Sequence, residues 1–146
     1  MAKRGTLLIV DDNRNILSAV KLLADGYFAK VVTLSSPTTL LATIAAEQPD
    51  VLLLDMNFNA GINTGNEGIF WLKESKAKFP QLRVVLFTAY ADIDLAVKAM
   101  KHGAFDFVVK PWNNDKLIET LMNALNSFKE KGKKSVKPVR KEVPMF

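Results

Sequence analysis

Five short apolar runs alternate with five amphipathic stretches along the chain, and this alternation constrains the fold more than any other feature of the sequence. The runs are rich in Val, Leu, Ile and Phe, as expected for strands that are covered on both faces. The intervening stretches carry apolar residues at helical spacing, as Ile16, Val20 and Leu23 do. The order βαβαβαβαβα predicts an α/β fold with a parallel sheet, right-handed crossovers and helices on both faces. The predicted strands cover residues 6–10, 28–34, 51–54, 82–87 and 105–109.

Residues that favour helix ends stand at the boundaries of the amphipathic stretches. Short polar side chains that accept hydrogen bonds from free backbone N–H groups are typical of the first position, and Gly is typical of the position after the last turn. The predicted N-caps are Asn13, Ser36 and Asp92, and the predicted C-caps are Gly26 and Gly103.

The net charge of +5 is confined to one end of the chain. Residues 1–128 hold 13 basic and 13 acidic side chains, whereas residues 129–146 hold seven basic and two acidic ones. The last segment contains Gly132, Pro138 and Pro144 and has no apolar periodicity, which is typical of a flexible linker or tail. We therefore predict one domain over residues 1–128 and a basic linker over residues 129–146 that leads to a further domain. We expect this domain to contact neither nucleic acid nor a membrane directly.

Composition excludes several kinds of chemistry. The chain has no Cys, which excludes disulfides, thiolate metal sites and cysteine nucleophiles, and its single His excludes a site with several histidine ligands. The longest apolar runs have four residues, as in 7–10 and 51–54, whereas a membrane-spanning helix needs about 20. The first strand begins too early to leave room for a signal peptide, so we expect a cytoplasmic protein.

Polar side chains follow the apolar runs at the points where four of the strands end. Asp11 and Asp12 follow the first run, Asp55 the third, Thr88 the fourth and Lys110 the fifth. The carboxyl ends of parallel strands meet at one edge of a sheet, so we expect these side chains to lie together. Two carboxylates about 4 Å apart repel by about 4 kcal/mol at an effective dielectric constant near 20, so the group needs compensating cations. Lys110 supplies one, and Mg²⁺, which prefers oxygen ligands, fits the rest.

This combination of groups predicts phosphoryl transfer. A metal ion and an ammonium neutralise the phosphoryl oxygens, a hydroxyl donates to one of them, and a carboxylate can act as the nucleophile and form an acyl phosphate. The sequence contains no GxxxxGK[ST] phosphate loop, so nucleotide binding is not expected. We therefore expect the donor to be a protein or a small molecule.

Four segments resemble the signatures of bacterial response-regulator receiver domains in the same order and spacing. They are LLIVDDN (7–13), VLLLDMN (51–57), VVLFTAY (84–90) and FVVKPW (107–112), and the resemblance covers residues 6 to about 128. It implies the flavodoxin-like receiver fold, with five parallel strands in the order 2-1-3-4-5 and five helices. It also implies a signalling domain that phosphorylates and dephosphorylates itself rather than a conventional enzyme.

The resemblance assigns a metal site and a phosphoacceptor. Asp55 is the implied phosphoacceptor. Asp12 and Asp55 are implied to bind Mg²⁺ through their carboxylates, Asp11 through water, and Asn57 through its backbone carbonyl.

The resemblance also assigns the residues that respond to phosphorylation. Thr88 is the implied switch hydroxyl, Lys110 pairs with the phosphoryl group, and the bond from Lys110 to Pro111 is implied to be cis. Phe107 takes the place of the switch aromatic but lacks the hydroxyl of a Tyr. Tyr90 flanks the site, where it either shields the acyl phosphate from water or is simply a loop aromatic.

The long Gly- and Asn-rich segment at residues 55–72, together with residues 88–112, is similar to receivers of the nitrogen-regulation type. In those proteins an AAA+ ATPase that activates sigma-54-dependent transcription follows the receiver, and a DNA-binding domain follows the ATPase. The implied partners are a sensor histidine kinase and the protein's own output domain. The kinase is expected to be a separate protein, because His102 is the only His of the chain and the domain is not itself a histidine phosphodonor. A homodimer through the fourth helix, fifth strand and fifth helix is also expected.

Two other functions are compatible with parts of the pattern. A receiver-like module that docks a partner without phosphorylation commonly lacks one of the acids or the Lys, whereas this chain has the full set. A phosphohydrolase similar to the haloacid dehalogenase group generally has a second Asp two residues after the nucleophile, where this chain has Asn57.

Overall fold

The computed structural model describes residues 3–56 and 66–133 of the chain. Its strands are β1 (Thr6–Val10), β2 (Lys30–Leu34), β3 (Val51–Asp55), β4 (Arg83–Ala89) and β5 (Asp106–Lys110). All neighbouring pairs are parallel, and the order across the sheet is β2-β1-β3-β4-β5. The predicted sheet and its strand order are therefore confirmed.

One α-helix follows each strand. The helices are α1 (Arg14–Ala24), α2 (Leu40–Glu47), α3 (Asn66–Lys78), α4 (Ile93–Ala99) and α5 (Asn114–Lys133), and short 3-10 turns lie at Pro37–Thr39, Tyr90–Asp92 and Met100–His102. In the described part of the chain, no helix is long and apolar enough to cross a membrane.

The sheet separates two apolar cores because successive side chains of a strand point to opposite faces. In β1, Leu7 and Ile9 pack with residues of α1 and α5, whereas Leu8 and Val10 pack with residues of α2, α3 and α4. All four are fully buried. Burial on both faces explains why most strand residues are apolar, and the polar side chains of the candidate site stand where the strands end.

The predicted helix boundaries agree with the structure at four of five positions. The side chain of Asn13 accepts hydrogen bonds from the N–H groups of Asn15 and Ile16, and Ser36 accepts one from Thr38. Gly103 ends the turn at Met100–His102 with a φ of 102°. Asp92 precedes α4, although its side chain makes no capping bond to that helix.

The prediction that Gly26 caps α1 is wrong. The helix ends at Ala24, and Asp25 is its C-cap. Asp25 keeps a right-handed helical conformation. Its N–H donates back to the carbonyl of Lys21, and the N–H of Gly26 donates to that of Leu23, so the chain leaves the helix without a left-handed residue.

Helix α5 continues to Lys133, five residues beyond the domain boundary predicted at residue 128. Residues 134–146, which make up most of the predicted linker, lie outside the described residues.

Candidate functional site

Three carboxylates meet at the carboxyl edge of the sheet. In the register between β1 and β3, Val10 lies opposite Leu54, so Asp11 and Asp55, which follow them, reach the same level. One oxygen from each of Asp11, Asp12 and Asp55 lies within 4.8 Å of the others. Asp11 and Asp55 are buried, and Asp12 is exposed. The structure thus brings together the three acids that the sequence predicted to cluster.

Lys110 bridges the two buried acids from the end of β5. Its ammonium lies 3.0 Å from Oδ2 of Asp11 and 3.0 Å from Oδ1 of Asp55. Burial lowers the pKa of Lys110, but the charges of Asp55 and Asp11 and the hydrogen bonds to them outweigh burial, so its pKa is raised above the ordinary value of 10.5. Lys110 is therefore a charged partner of both acids and is directed inward.

The loop after β1 also fixes Asp11. Its other oxygen, Oδ1, accepts a hydrogen bond of 2.9 Å from the N–H of Asn13, the residue that caps α1. The N–H of Asp11 donates to the carbonyl of Leu34 in β2 at 3.1 Å. These bonds hold the carboxylate of Asp11 in place. The cap of α1 by Asn13 holds the loop that carries Asp12.

The donor set fits a hard divalent cation. Within this group of four side chains, one ammonium neutralises one of three carboxylates, so two negative charges remain. The three ligand atoms that cluster in the described part of the chain are carboxylate oxygens, which Mg²⁺ and similar ions prefer. A divalent ion would balance the charge of this group.

Thr88 lies inside β4, near its end, and is fully buried. Asp55 pairs with Phe87 across the sheet, so Thr88 stands one residue further along the neighbouring strand. In this structure its hydroxyl donates to the carbonyl of Ala89 at 3.3 Å.

The remaining predicted residues surround this edge of the sheet. Phe107 is half-buried and packs against the core formed with α2, α3 and α4. Tyr90 is 78% exposed. The peptide bond between Lys110 and Pro111 is cis. Asn57 lies outside the described residues.

A cavity of about 200 Å³ adjoins Asp12. It lies between the loop after β2 and the first turns of α3, and its lining includes the hydroxyl-bearing residues Ser35, Ser36 and Thr38 together with Glu67 and Trp71. The exposed carboxylate of the cluster therefore faces a polar opening large enough for several water molecules.

Two residues near the site were missed by the sequence analysis. Gly68 is buried where α3 approaches the chain just after Asp55, and a Cβ added there would lie 2.6 Å from Cα of Met56. Phe87 presents its ring to Lys110, with 5.1 Å between the ammonium and the ring centroid. A Gly within a helical pattern was the available signal for the first, because such a Gly usually has a packing reason. An aromatic directly before Thr88 was the signal for the second.

The fold and the arrangement of acids and Lys define a signalling domain of the receiver class. The model of the response regulator receiver domain matches residues 7–122, and the chain belongs to this family.

The curated relatives confirm the resemblance to receivers of the nitrogen-regulation type. The chain is 32% identical over 128 residues to the DNA-binding transcriptional regulator NtrC of Salmonella typhimurium, covering 88% of this chain and 26% of that protein. It is 32% identical over 126 residues to the transcriptional regulatory protein ZraR of the same organism, covering 86% of this chain and 27% of ZraR. The chain thus spans about a quarter of the length of these relatives.

Solved structures share the same fold. The N-terminal signal receiver domain of a two-component system response regulator from Bacteroides fragilis is 57% identical, with a TM-score of 0.76 over 85% of this chain and 98% of that one. NtrX from Brucella abortus, solved in complex with ADP, is 30% identical with a TM-score of 0.77, over 88% of this chain and 28% of NtrX.

Proposed function

We propose that this domain accepts a phosphoryl group on Asp55 from a sensor histidine kinase in a Mg²⁺-dependent reaction. The observation that carries the proposal is the position of the Lys110 ammonium, 3.0 Å from both Asp55 and Asp11, with an oxygen of Asp12 within 4.8 Å of theirs. A buried carboxylate that shares a cation with a second acid, beside a third, is suited to receive a group that carries several negative oxygens.

Mg²⁺ would be held by the carboxylates of Asp12 and Asp55, by Asp11 through water and by the backbone carbonyl of Asn57. When bound, the ion would neutralise charge on the transferred phosphoryl group. The oxygen-only donor set and the charge of the cluster support this assignment.

In the reaction, an oxygen of Asp55 forms a bond to phosphorus while the phosphorus–nitrogen bond of the donor phosphohistidine breaks. Lys110 holds Asp55 in place beforehand and pairs with the phosphoryl oxygens afterwards. The domain supplies the nucleophile, Asp55, and the positive charge of Lys110. It returns to its starting state only when water removes the phosphoryl group. It is therefore a phosphoacceptor and not a conventional enzyme.

Phosphorylation would act on the rest of the domain through Thr88. The new oxygens compete with the carbonyl of Ala89 for the Thr88 hydroxyl, and the movement of Thr88 makes room for the ring of Phe107. A shift from 1:99 to 99:1 between two states requires about 5.5 kcal/mol, which a few charge-assisted hydrogen bonds can supply.

The surface that responds would be the outer face of α4, β5 and α5. It includes Val97, which is 53% exposed, together with Ile93, Met100 and Phe107. We propose that this surface forms a homodimer when Asp55 is phosphorylated. Exposed apolar groups at the surface of α4 favour such an association.

We also propose that residues 1–128 form the receiver and that residues 129–146 lead to an output domain. The similarity to NtrC and ZraR, transcriptional regulators of which the matched residues cover about a quarter, supports an AAA+ ATPase and a DNA-binding domain that act at sigma-54 promoters. Such a regulator would work in the cytoplasm, where its kinase would meet it.

Intact mass after incubation with Mg²⁺ and acetyl phosphate tests the proposal. We expect the gain of one phosphoryl group, which Asp55→Asn and chelation of the metal both abolish. Asp94→Asn, which removes an exposed carboxylate of α4, is the matched control and should gain the group normally. Measurable Mg²⁺ binding with no gain from either acetyl phosphate or a phosphorylated kinase would contradict the proposal and favour a phosphorylation-independent docking module.

A further inference from the structure

The ammonium of Lys110 has a third neighbour besides its two acids. It lies over the ring of Phe87, 5.1 Å from the centroid, which is within the range of a cation–π interaction. Phe87 is fully buried, and the side chain of Lys110 is only 20% exposed. Burial strengthens this attraction because little water competes for the charge.

The register of the sheet explains why this ring lies beneath the ammonium. Phe87 pairs with Asp55 on one side and with Val108 on the other. Side chains alternate along a strand, so Phe87 shares a face of the sheet with Asp55 and with Lys110, two residues beyond Val108. Phe87 thus stands between the phosphoacceptor strand and the strand that carries Lys110, and the N–H of Met56 donates to its carbonyl at 3.0 Å.

Trp112, in the short segment between β5 and α5, supports the ring of Phe87. The two ring centroids are 5.4 Å apart with 54° between the planes, which is a favourable separation for an aromatic pair. The indole Nε1–H of Trp112 donates to Oδ1 of Asn114 at 2.8 Å, which fixes the indole. Phe87 therefore contacts both Lys110 and Trp112 on one side of the site.

We propose that Phe87 is a positioning residue that holds the ammonium of Lys110 beside Asp55, and that Trp112 holds the Phe87 ring. A Lys side chain has a flexible four-carbon stem, so its ammonium needs more than one contact to stay in place. The oxygens of Asp55 change partners when the phosphoryl group arrives, whereas the ring of Phe87 takes no part in the bonds that form or break. It is the contact that stays constant through the reaction.

This inference rests on the proposed phosphoacceptor function, but its first readout does not require phosphorylation. The order parameter of the Lys110 Cε methylene, measured by ¹³C relaxation in the metal-free protein, reports how tightly the ammonium is held. We expect it to fall in Phe87→Leu and to fall less in Trp112→Leu.

Phe28→Leu is the matched control. Phe28 is 1% exposed and belongs to the same apolar core, but it precedes β2, at the opposite edge of the sheet from β5. The control loses the same atoms from the same core, so a purely structural effect would appear in both variants. We expect Phe28→Leu to leave the order of Lys110 unchanged.

The second readout is the rate of phosphorylation by acetyl phosphate at saturating Mg²⁺. We expect the maximal rate constant to fall about threefold to tenfold in Phe87→Leu, which lies between the effects of an exposed and a fully desolvated cation–π contact, and to stay within about twofold of wild type in Phe28→Leu. Phe87→Tyr keeps the aromatic face and should retain most of the order of Lys110. If Phe87→Leu does not fold, Phe87→Met keeps more of the volume and replaces it.

Equal order of Lys110 in wild type, Phe87→Leu and Phe28→Leu would overturn the positioning role. A wild-type protein that gains no phosphoryl group would instead overturn the proposed function, and the order parameter would still decide the role of Phe87.

Discussion

The ammonium of Lys110 lies 3.0 Å from Oδ1 of Asp55, although 55 residues separate them in the chain. The same ammonium lies 3.0 Å from Asp11, so a single cation joins the carboxyl ends of β1, β3 and β5. The two acids are 1% exposed or less, and neither is well hydrated. The stability of the metal-free domain should therefore depend on Lys110 more than on an ordinary surface Lys.

We expect the contribution of Lys110 to stability to disappear at alkaline pH. The folded-state pKa of Lys110 is raised, whereas the unfolded chain has the ordinary value of 10.5. The contribution is thus fully present below pH 10.5 and is lost as the pH rises through the folded-state pKa.

Urea unfolding of wild type and Lys110→Met from about pH 8 to about pH 12 measures this effect. At about pH 8 without metal, we expect the variant to be less stable by about 3 kcal/mol, because two buried carboxylates lose their cation. The difference should shrink above pH 10.5. A difference that stays constant or widens there would show that the ion pairs do not stabilise the fold.

Mg²⁺ should stabilise the domain through the exposed acid of the cluster as well as the buried ones. A ligand at a hundred times its dissociation constant stabilises the folded state by about 2.7 kcal/mol. We expect most of this gain to vanish in Asp12→Asn and to persist in Asp94→Asn, which removes an exposed carboxylate outside the cluster. Thermal unfolding with and without Mg²⁺ measures both.

Without metal, Asp12→Asn should be as stable as wild type or more so, because the substitution removes one of three mutually repelling charges. A loss of stability in metal-free Asp12→Asn would mean that its carboxylate has a structural role that the cation site does not explain.

The clustering of the acids with Lys110 could be predicted from sequence because it follows from local patterns. Each apolar run ends in a polar residue, and parallel strands bring those ends to one edge whatever the details of packing. The inward direction of the Lys110 side chain could also be predicted, because an ammonium at that edge of the sheet lies near the carboxylates.

The short contacts between residues of different helices and strands could not be predicted in the same way. The contact between Gly68 and Met56 depends on how near α3 lies to the end of β3. The contacts of Phe87 with Lys110 and Trp112 depend on the register of β4 with β5. Single-sequence patterns indicate which face is buried but not the distance between elements. The end of α1 was misplaced for a related reason: Asp25 continues the backbone bonding that Gly26 was expected to end.

The contact at Gly68 predicts that replacing this helical Gly with Ala lowers the free energy of unfolding instead of raising it. Gly→Ala inside a helix ordinarily stabilises by up to about 1 kcal/mol. At Gly68 the new Cβ would lie 2.6 Å from Cα and 2.9 Å from the carbonyl oxygen of Met56, both backbone atoms that cannot swing aside. We expect Gly68→Ala to destabilise by about 1–3 kcal/mol in urea unfolding.

Gly68→Ala should also disturb the metal site, because Met56 follows Asp55 directly. We expect weaker Mg²⁺ binding in Gly68→Ala by isothermal titration. Gly26→Ala is the control: its Cβ would meet only the carbonyl oxygen of Leu23, at an ordinary 3.5 Å. Wild-type stability in Gly68→Ala would mean that α3 moves away from β3 at little cost.

Removing the hydroxyl of Ser75 should increase the stability of the domain. Ser75 lies on the inner side of α3 and is fully buried, and in the described part of the chain its Oγ has no hydrogen-bond partner. Burying such a group costs about 1–3 kcal/mol, so Ser75→Ala should raise the free energy of unfolding by about 1 kcal/mol after the small loss of packing. Ser18→Ala, on the exposed face of α1, makes the same change in helix propensity without the buried hydroxyl. Urea unfolding of both variants should show the larger gain at Ser75, and an equal gain at the two positions would mean that the Ser75 hydroxyl finds a partner, such as a buried water.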